Sequence, residues 1–175
     1  MSSGAGTIDY FKAIEAEPPP VVGQSYYTRH CFKYEKDESE TTNYWRGILV
    51  PINTKVALVA LTTRDMVLRL PDGGTVKIAN VEKFSRRSMA EIAHNLLTAG
   101  PVPIERYGEP MATTIKNGEM RLGMTKEQVV MARGYPPGHK TPSLDLNTWV
   151  YWSSRFATQT IVFRDGVLAQ GRGLQ

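Results

Sequence analysis

The fold is decided by residues 123–134, which read Gly-Met-Thr-Lys-Glu-Gln-Val-Val-Met-Ala-Arg-Gly. Thr125 is a good N-cap, because its hydroxyl can accept a hydrogen bond from the amide of Gln128, whose side chain can return one to the cap. This capping box predicts a helix over 126–133. Gly134 fits the left-handed C-cap position and the two prolines that follow cannot continue a helix, so the helix is predicted to end there.

Strands and a tight hairpin follow this helix. The aromatic and β-branched residues of 149–152 and 160–163 predict two strands. Asp165-Gly166, which separates the second strand from Val167-Leu168, is the strongest short-range hairpin signal in the chain. The C-terminal part is therefore predicted to run from helix to strand to hairpin.

In this order and spacing, the stretch from roughly Ile115 to Gln170 resembles the BamE-like family, also called SmpA/OmlA, of small outer-membrane assembly lipoproteins. The shared motifs are Gly123-Met124-Thr125, Gly134-Tyr135-Pro136, Trp149-Val150-Tyr151 and Phe163-Arg164-Asp165-Gly166. The resemblance implies two helices on a small antiparallel sheet, residence in the periplasm and a non-catalytic role. The Pro-rich segment 135–146 is distinctive, and the chain before the match lies outside the family domain.

The N-terminal part has a β pattern. Alternating side chains and turn-forming residues predict five short strands, at 26–34, 46–51, 55–62, 66–70 and 75–80. Tight turns between short strands indicate a curled sheet or a small barrel. A second capping box, formed by Ser88 and Glu91, then begins an amphipathic helix that is predicted to end near Gly100.

We therefore expect an α+β fold made of two units. The N-terminal unit is a small, barrel-like antiparallel β unit, and the C-terminal unit is BamE-like, with two helices and a three-stranded antiparallel sheet. The expected divisions are a tether or linker at 1–20, the β-rich domain with its closing helix at 21–100, a linker at 101–110 and the BamE-like domain at 111–175.

Composition limits the class of partner. The 175 residues are 41% hydrophobic and 22% charged, which is ordinary for a globular protein. The net charge of +4 is small and its basic residues are scattered, so we expect no nucleic-acid partner. The sequence contains no run of about 18 apolar residues, so no membrane-spanning helix is predicted.

Ser2-Ser3-Gly4 resembles the segment after a lipidated cysteine, and our hypothesis is that Met1 stands in place of that cysteine, with the signal segment missing.

No residue pattern predicts catalysis, a cofactor or a metal site. Cys31 is the only cysteine, and on a strand its side chain and that of His30 point to opposite faces, so they cannot form a dyad. His30, His94 and His139 lack metal-ligand spacing. The carboxylates are scattered along the chain, and the glycines do not form a phosphate-binding loop.

The predicted strand at 149–152 has more large aromatic rings than one buried face can accommodate. Alternation places Trp149 and Tyr151 on one face and Val150 and Trp152 on the other, so large rings lie on both faces. The second face either packs against the N-terminal unit, which we favour, or recognises a partner. Aromatic and arginine side chains dominate interface energetics, and the candidate partner-binding residues are Tyr135, Pro136, Pro137, His139, Trp152, Arg155 and Phe156.

The expected function is that of a non-enzymatic cell-envelope lipoprotein that binds envelope proteins or cell-wall components. Its contact with a membrane is expected only through an N-terminal lipid anchor. Two alternatives stay open. One is a thiol hydrolase that acts on wall peptides through Cys31. The other is a secreted inhibitor of a hydrolase, because secreted β-lactamase inhibitors are built from units similar to the BamE-like fold.

Overall fold

The computed structural model describes residues 10–175 and confirms the α+β class. The helices are α1 (residues 10–15), α2 (Glu82–Ser85), α3 (Met89–Leu96), α4 (Met111–Lys116) and α5 (Lys126–Arg133), with a 3₁₀ helix at Ile104–Tyr107. The strands are β1 (Ser25–Thr28), β2 (Phe32–Tyr34), β3 (Glu38–Glu40), β4 (Ile48–Val50), β5 (Lys55–Leu61), β6 (Asp65–Arg69), β7 (Thr75–Ala79), β8 (Leu97–Thr98), β9 (Thr148–Ser154), β10 (Ala157–Arg164) and β11 (Val167–Gly171).

The N-terminal unit is a six-stranded sheet with the order β3-β7-β6-β5-β1-β8. All pairs are antiparallel except β3 and β7, which are parallel. The order has two ends, at β3 and β8, so the sheet is open in its hydrogen bonding. Strands β2 and β4 form a separate two-stranded ribbon. Helix α3 covers the sheet, and its Met89, Ala93 and Leu96 join the core formed by β5, β6 and β7.

The prediction of one continuous strand over 26–34 is wrong. Between β1 and β2 the backbone turns to other elements, because the amide of Arg29 donates to Leu96 and that of Cys31 donates to Met131. These bonds replace the ladder bonds that a continuous strand would need. The break brings the segment 29–31 into the space between the two units.

The C-terminal unit has the predicted helices and an antiparallel sheet with the order β11-β10-β9. The capping box of α5 is confirmed, with Gln128 N 3.3 Å from the Thr125 hydroxyl and Thr125 N 2.9 Å from Gln128 Oε1. The hairpin between β10 and β11 is also confirmed. Asp165 and Gly166 both have positive φ, 54° and 81°, as a type I′ turn requires.

One core joins the two units. Cys31 and Ile52 from the N-terminal part are buried in the same cluster as Met131 and Tyr151. Residues 101–110, expected to be a linker, also contribute to this cluster, because two apolar side chains, those of Val102 and Ile104, turn inward. The units therefore share an interior along this face.

The described residues of the segment 1–20 contact the rest of the chain. Tyr10 and Phe11 pack against the C-terminal core, and Glu17 forms a 2.8 Å ion pair with the buried Arg29. Residues 1–9, which include the segment Ser2-Ser3-Gly4 of the anchor hypothesis, lie outside the described residues. Within 10–175, no helix is both long and apolar enough to cross a membrane.

Candidate partner-binding site

The first part of the Pro-rich loop after α5, residues 136–138, lies inside the molecule. Pro136, Pro137 and Gly138 are buried, and the Gly138 amide donates to the Ser85 carbonyl at 3.3 Å. A Cβ atom on Gly138 would lie only 2.6 Å from that oxygen, so the close approach needs glycine. The expectation that this loop forms an exposed edge is therefore corrected for Pro136 and Pro137, because both are buried where the following backbone approaches α2.

Tyr135 is half-buried at the junction of the units. Its ring centroid lies 5.8 Å from that of His30 and 6.1 Å from that of Phe11. The guanidinium carbon of Arg87 lies 5.0 Å from the same ring. Burial raises the pKa of the Tyr135 phenol to about 12, so it stays protonated at neutral pH. Its contacts are within the chain, which makes it a junction residue.

Two cavities lie at this junction. They share three lining residues, Tyr135, Arg87 and Asn95. One has a volume of about 60 Å³ and is lined by His30 and Asn43 among others. The second, of about 190 Å³, lies between α1 and α3. The smaller volume is far below the roughly 150 Å³ in which a cavity can hold benzene. That cavity has room for water-sized groups only.

His30 is held neutral by its surroundings. Its Nδ1 lies 2.7 Å from the carbonyl oxygen of Cys31, and because a carbonyl can only accept, Nδ1 carries the hydrogen. Nε2 is then an acceptor without a hydrogen-bond partner among residues 10–175. Burial lowers the pKa of His30 to about 4, and the charge of Arg29 also lowers it.

We expect His30 to make stability fall in mild acid. Its pKa is lowered from 6.5 to about 4 in the folded protein, so below pH 6.5 the unfolded chain binds the proton and the folded chain does not. The free energy of unfolding should therefore drop as pH falls, by up to about 3 kcal/mol, and this loss ends near pH 4. Urea unfolding across this range measures it.

His30→Asn keeps a donor for the Cys31 carbonyl but cannot titrate. The difference in free energy of unfolding between the wild type and this variant should therefore change between pH 7 and 4. A constant difference over that range contradicts the assignment.

His139 and Trp152 cover the second face of β9. Their rings are stacked, with centroids 6.0 Å apart and planes at 15°, and His139 also contacts the Phe84 ring at 4.8 Å. Phe84 belongs to α2 of the N-terminal unit. On the other face, Trp149 and Tyr151 are fully buried. The observed contacts support packing between the units as the role of the second face.

Arg155 and Phe156 form the tip of the β9–β10 hairpin. Phe156 is 90% exposed, the highest value among the large hydrophobic side chains of the described chain. The guanidinium carbon of Arg155 lies 5.4 Å from its ring. Of the seven predicted partner-binding residues, these two are displayed to solvent, His139 and Trp152 are half-buried, and the rest belong to the junction. The structure does not bring them together as one surface.

Cys31 has the environment of a structural cysteine. Its side chain is fully buried, its Sγ lies 3.2 Å from the Ile115 carbonyl, and it accepts from the Ile52 amide at 3.2 Å. Burial raises its pKa to about 11, whereas a nucleophilic thiol needs a lowered one. His30 contacts the Cys31 carbonyl and not its sulfur. This geometry gives the thiol-hydrolase alternative no support.

Over the described part of the chain, no group of three or more His, Cys, Asp or Glu side chains is arranged to hold a metal ion. His94 is used structurally, with Nε2 2.8 Å from the Glu17 carbonyl.

Sequence reasoning missed the residues that connect the units. Asn43, with a φ of 58°, donates through Nδ2 to the carbonyls of Arg133 and Tyr135 at 2.9 and 3.2 Å. Arg133 returns a bond to the Asn43 carbonyl at 3.1 Å. No local pattern predicts these contacts, because the partners are distant in sequence. The only available signal was that asparagine adopts positive φ more readily than most residues.

Comparison with known proteins gives no relative: no family model matches the chain, and neither does any curated protein or solved structure.

Proposed function

We propose that this chain is a non-enzymatic cell-envelope lipoprotein of the periplasm that binds another envelope protein through the tip of its β9–β10 hairpin. The observation that carries the proposal is the 90% exposure of Phe156. Full burial of such a ring is worth about 2–3 kcal/mol relative to leaving it in water. A partner that covers the ring would gain this free energy.

The hairpin suits docking because its base is fixed. Trp149, Tyr151 and Ile161 anchor the two strands in the core with no exposed surface. Ser154 pairs with Ala157 next to the tip. A side chain presented on an ordered arm loses less conformational freedom on binding than one on a flexible loop. Arginine beside an aromatic ring is also the composition found at interface hot spots.

The compartment is proposed from the family resemblance. The motifs that resemble the BamE-like family lie on a capped helix, a strand and a type I′ hairpin, and the sheet has three antiparallel strands. This agrees with the fold that the resemblance implies and supports an envelope role. The partners we propose are envelope proteins or cell-wall components.

A site-specific crosslinking experiment tests the docking tip. We expect a photo-crosslinking amino acid at position 156 to give a defined adduct in the envelope of a Gram-negative host, and the same probe at Leu146 to give none. Leu146 is a suitable control because it is also exposed, at 43%, and apolar. Phe156→Ser should then weaken binding of the purified partner about 10- to 100-fold.

The melting temperature of Phe156→Ser should stay that of the wild type, since the ring has almost no buried surface. Wild-type affinity of Phe156→Ser for the crosslinked partner, or equal adducts from positions 156 and 146, would overturn the proposed site.

A hydrolase inhibitor is the second candidate, because a single protruding aromatic ring also fits insertion into an enzyme cleft. Loss of turnover by a purified periplasmic hydrolase on addition of the wild-type chain would separate inhibition from docking.

A further inference from the structure

The fold gathers three basic side chains that lie far apart in the sequence. Lys83 and Arg86 belong to α2 and its C-cap, and Lys140 lies in the Pro-rich loop after α5. The two segments meet because the His139 amide donates to the Phe84 carbonyl at 2.9 Å. All three basic side chains are exposed, and we call the surface that they form the basic face.

The charges of the basic face are not paired with carboxylates. Among the described residues, none of its three cations takes part in an ion pair. Helix α2 itself carries one carboxylate, that of Glu82, so the face keeps a net positive charge. The effect reaches His139, whose pKa is lowered by burial and lowered further by the charges of Lys140 and Arg86.

Aromatic rings lie beside these charges. The stacked rings of His139 and Trp152 and the ring of Phe84 are half-buried, so part of each reaches the surface. The ammonium group of Lys83 lies 5.0 Å from the centroid of the Phe84 ring. Within residues 10–175 the indole N–H of Trp152 makes no hydrogen bond, unlike that of the buried Trp149. The surface therefore combines cations with rings that are apolar in body and polar at one edge.

We propose that the basic face and its rings rest on a bilayer that contains anionic phospholipids. Lipid phosphates match the three cations, and near such a surface each Lys or Arg strengthens binding about fivefold. Tryptophan is enriched at the membrane–water interface, where its ring meets apolar chains and its N–H meets headgroups. The inference rests on the proposed function only because a tethered lipoprotein is already held close to a bilayer, where a weak contact is enough.

Two other kinds of anionic partner fit this surface less well. A protein that follows the backbone of duplex DNA can make about 6–10 phosphate contacts, and the basic face supplies three cations. An acidic protein would have to cover the two lysines, and lysine is depleted at protein–protein interfaces because its ammonium group is strongly hydrated. At a bilayer surface the lysine ammonium groups stay in water, beside the headgroups.

Cosedimentation of the full chain with lipid vesicles tests the proposal. The probes are vesicles of phosphatidylcholine alone and vesicles that also contain about 30% phosphatidylglycerol. Poly-glutamate and duplex DNA represent the acidic-protein and nucleic-acid partners. We expect binding to the anionic vesicles at least about tenfold tighter than to the neutral ones, and weaker binding as NaCl rises from about 0.05 to 0.5 M, because salt screens the attraction.

The double variant Arg86→Gln/Lys140→Gln should bind the anionic vesicles about 25-fold more weakly, since it removes two cations of the face. Its melting temperature should stay that of the wild type, because both side chains are exposed. Lys55→Gln/Arg69→Gln is the matched control. It removes the same charge from exposed positions at the end of β5 and β6 that lies away from α2, and it should change binding less than about twofold.

Quenching by brominated phosphatidylcholine in the anionic vesicles measures contact with the rings. Tryptophan emission should be quenched, and Trp152→Phe should lose most of this quenching, because Trp149 is fully buried. Trp45→Phe should keep it. Equal binding to neutral and anionic vesicles, equal losses in the two double variants, quenching kept in Trp152→Phe, or tighter binding to poly-glutamate or DNA would each overturn the proposal. Such a failure would leave the hairpin docking site standing, because neither its partner nor the tether takes part in this test.

Discussion

Arg133→Ala is expected to lower the free energy of unfolding by about 3–5 kcal/mol. The Arg133 side chain is 3% exposed and connects the two units. Its Nη1 donates to the Asn43 carbonyl at 3.1 Å and its Nη2 donates to the Trp152 carbonyl at 3.0 Å. Hydrogen bonds to a charged group contribute about 1.5–3 kcal/mol each, and truncation leaves two carbonyls without this donor.

Ring contacts add to the loss. The guanidinium carbon of Arg133 lies 4.2 Å from the centroid of the Trp45 ring and 4.6 Å from that of Tyr151. Within the described part of the chain, no carboxylate is within ion-pair distance of this side chain. Burial lowers the pKa of Arg133 to about 10. The groups that stabilise its positive charge are the two backbone carbonyls and the faces of the two aromatic rings.

Urea denaturation measures the effect, with Arg164→Ala as the control. Arg164 is an exposed arginine at the end of β10, so its replacement makes the same change in charge without removing a buried contact. Arg133→Lys should also destabilise the protein, because an ammonium group cannot reproduce the flat, forked contacts of a guanidinium. If Arg133→Ala and Arg164→Ala unfold within about 1 kcal/mol of each other, the bridging role is wrong, since surface substitutions usually stay within about 0.5 kcal/mol.

The parts of the fold that could be predicted depend on close neighbours in sequence. The capping boxes at Ser88 and Thr125 each involve a partner three residues away, and the turn at Asp165-Gly166 is decided by two residues. Alternation along 149–152 also predicted two faces correctly, because the period of a strand is local. These signals need no knowledge of the rest of the chain.

Contacts between distant segments could not be predicted in this way. Prolines at 136 and 137 are typical of an exposed loop, yet they are buried because Gly138 lets the backbone approach Ser85. The parallel pairing of β3 with β7 and the placement of Cys31 between Ile52 and Ile115 depend likewise on tertiary packing. No pattern within a short window contains that information.

The same distinction between local signals and distant contacts applies to the candidate sites. Phe156 was selected from the sequence as an aromatic residue beside an arginine, and the structure gives it the exposure that a contact residue needs. Asn43 could not be selected, since nothing near it in the sequence shows that its side chain reaches the carbonyls of Arg133 and Tyr135. Such contacts are a property of the packed chain and not of its composition.

Gly47→Ala is the second substitution with a large expected effect, a loss of about 3–5 kcal/mol in the free energy of unfolding. Gly47 has a φ of 92°, in a region that disfavours other residues. A Cβ atom there would also overlap the carbonyl oxygen of Tyr34, and that atom is backbone and cannot move aside alone. Two costs therefore add: the conformational strain of alanine and the displacement of β2.

Gly73→Ala separates these two costs. Gly73 has nearly the same φ, 91°, but a Cβ atom there would meet nothing within 4 Å. Gly73→Ala should lose only the free energy of the backbone strain, about 1–2 kcal/mol. The difference between the two variants in free energy of unfolding therefore measures the cost of the steric overlap. Urea unfolding of both supplies the comparison. Equal losses would mean that the ribbon shifts without cost.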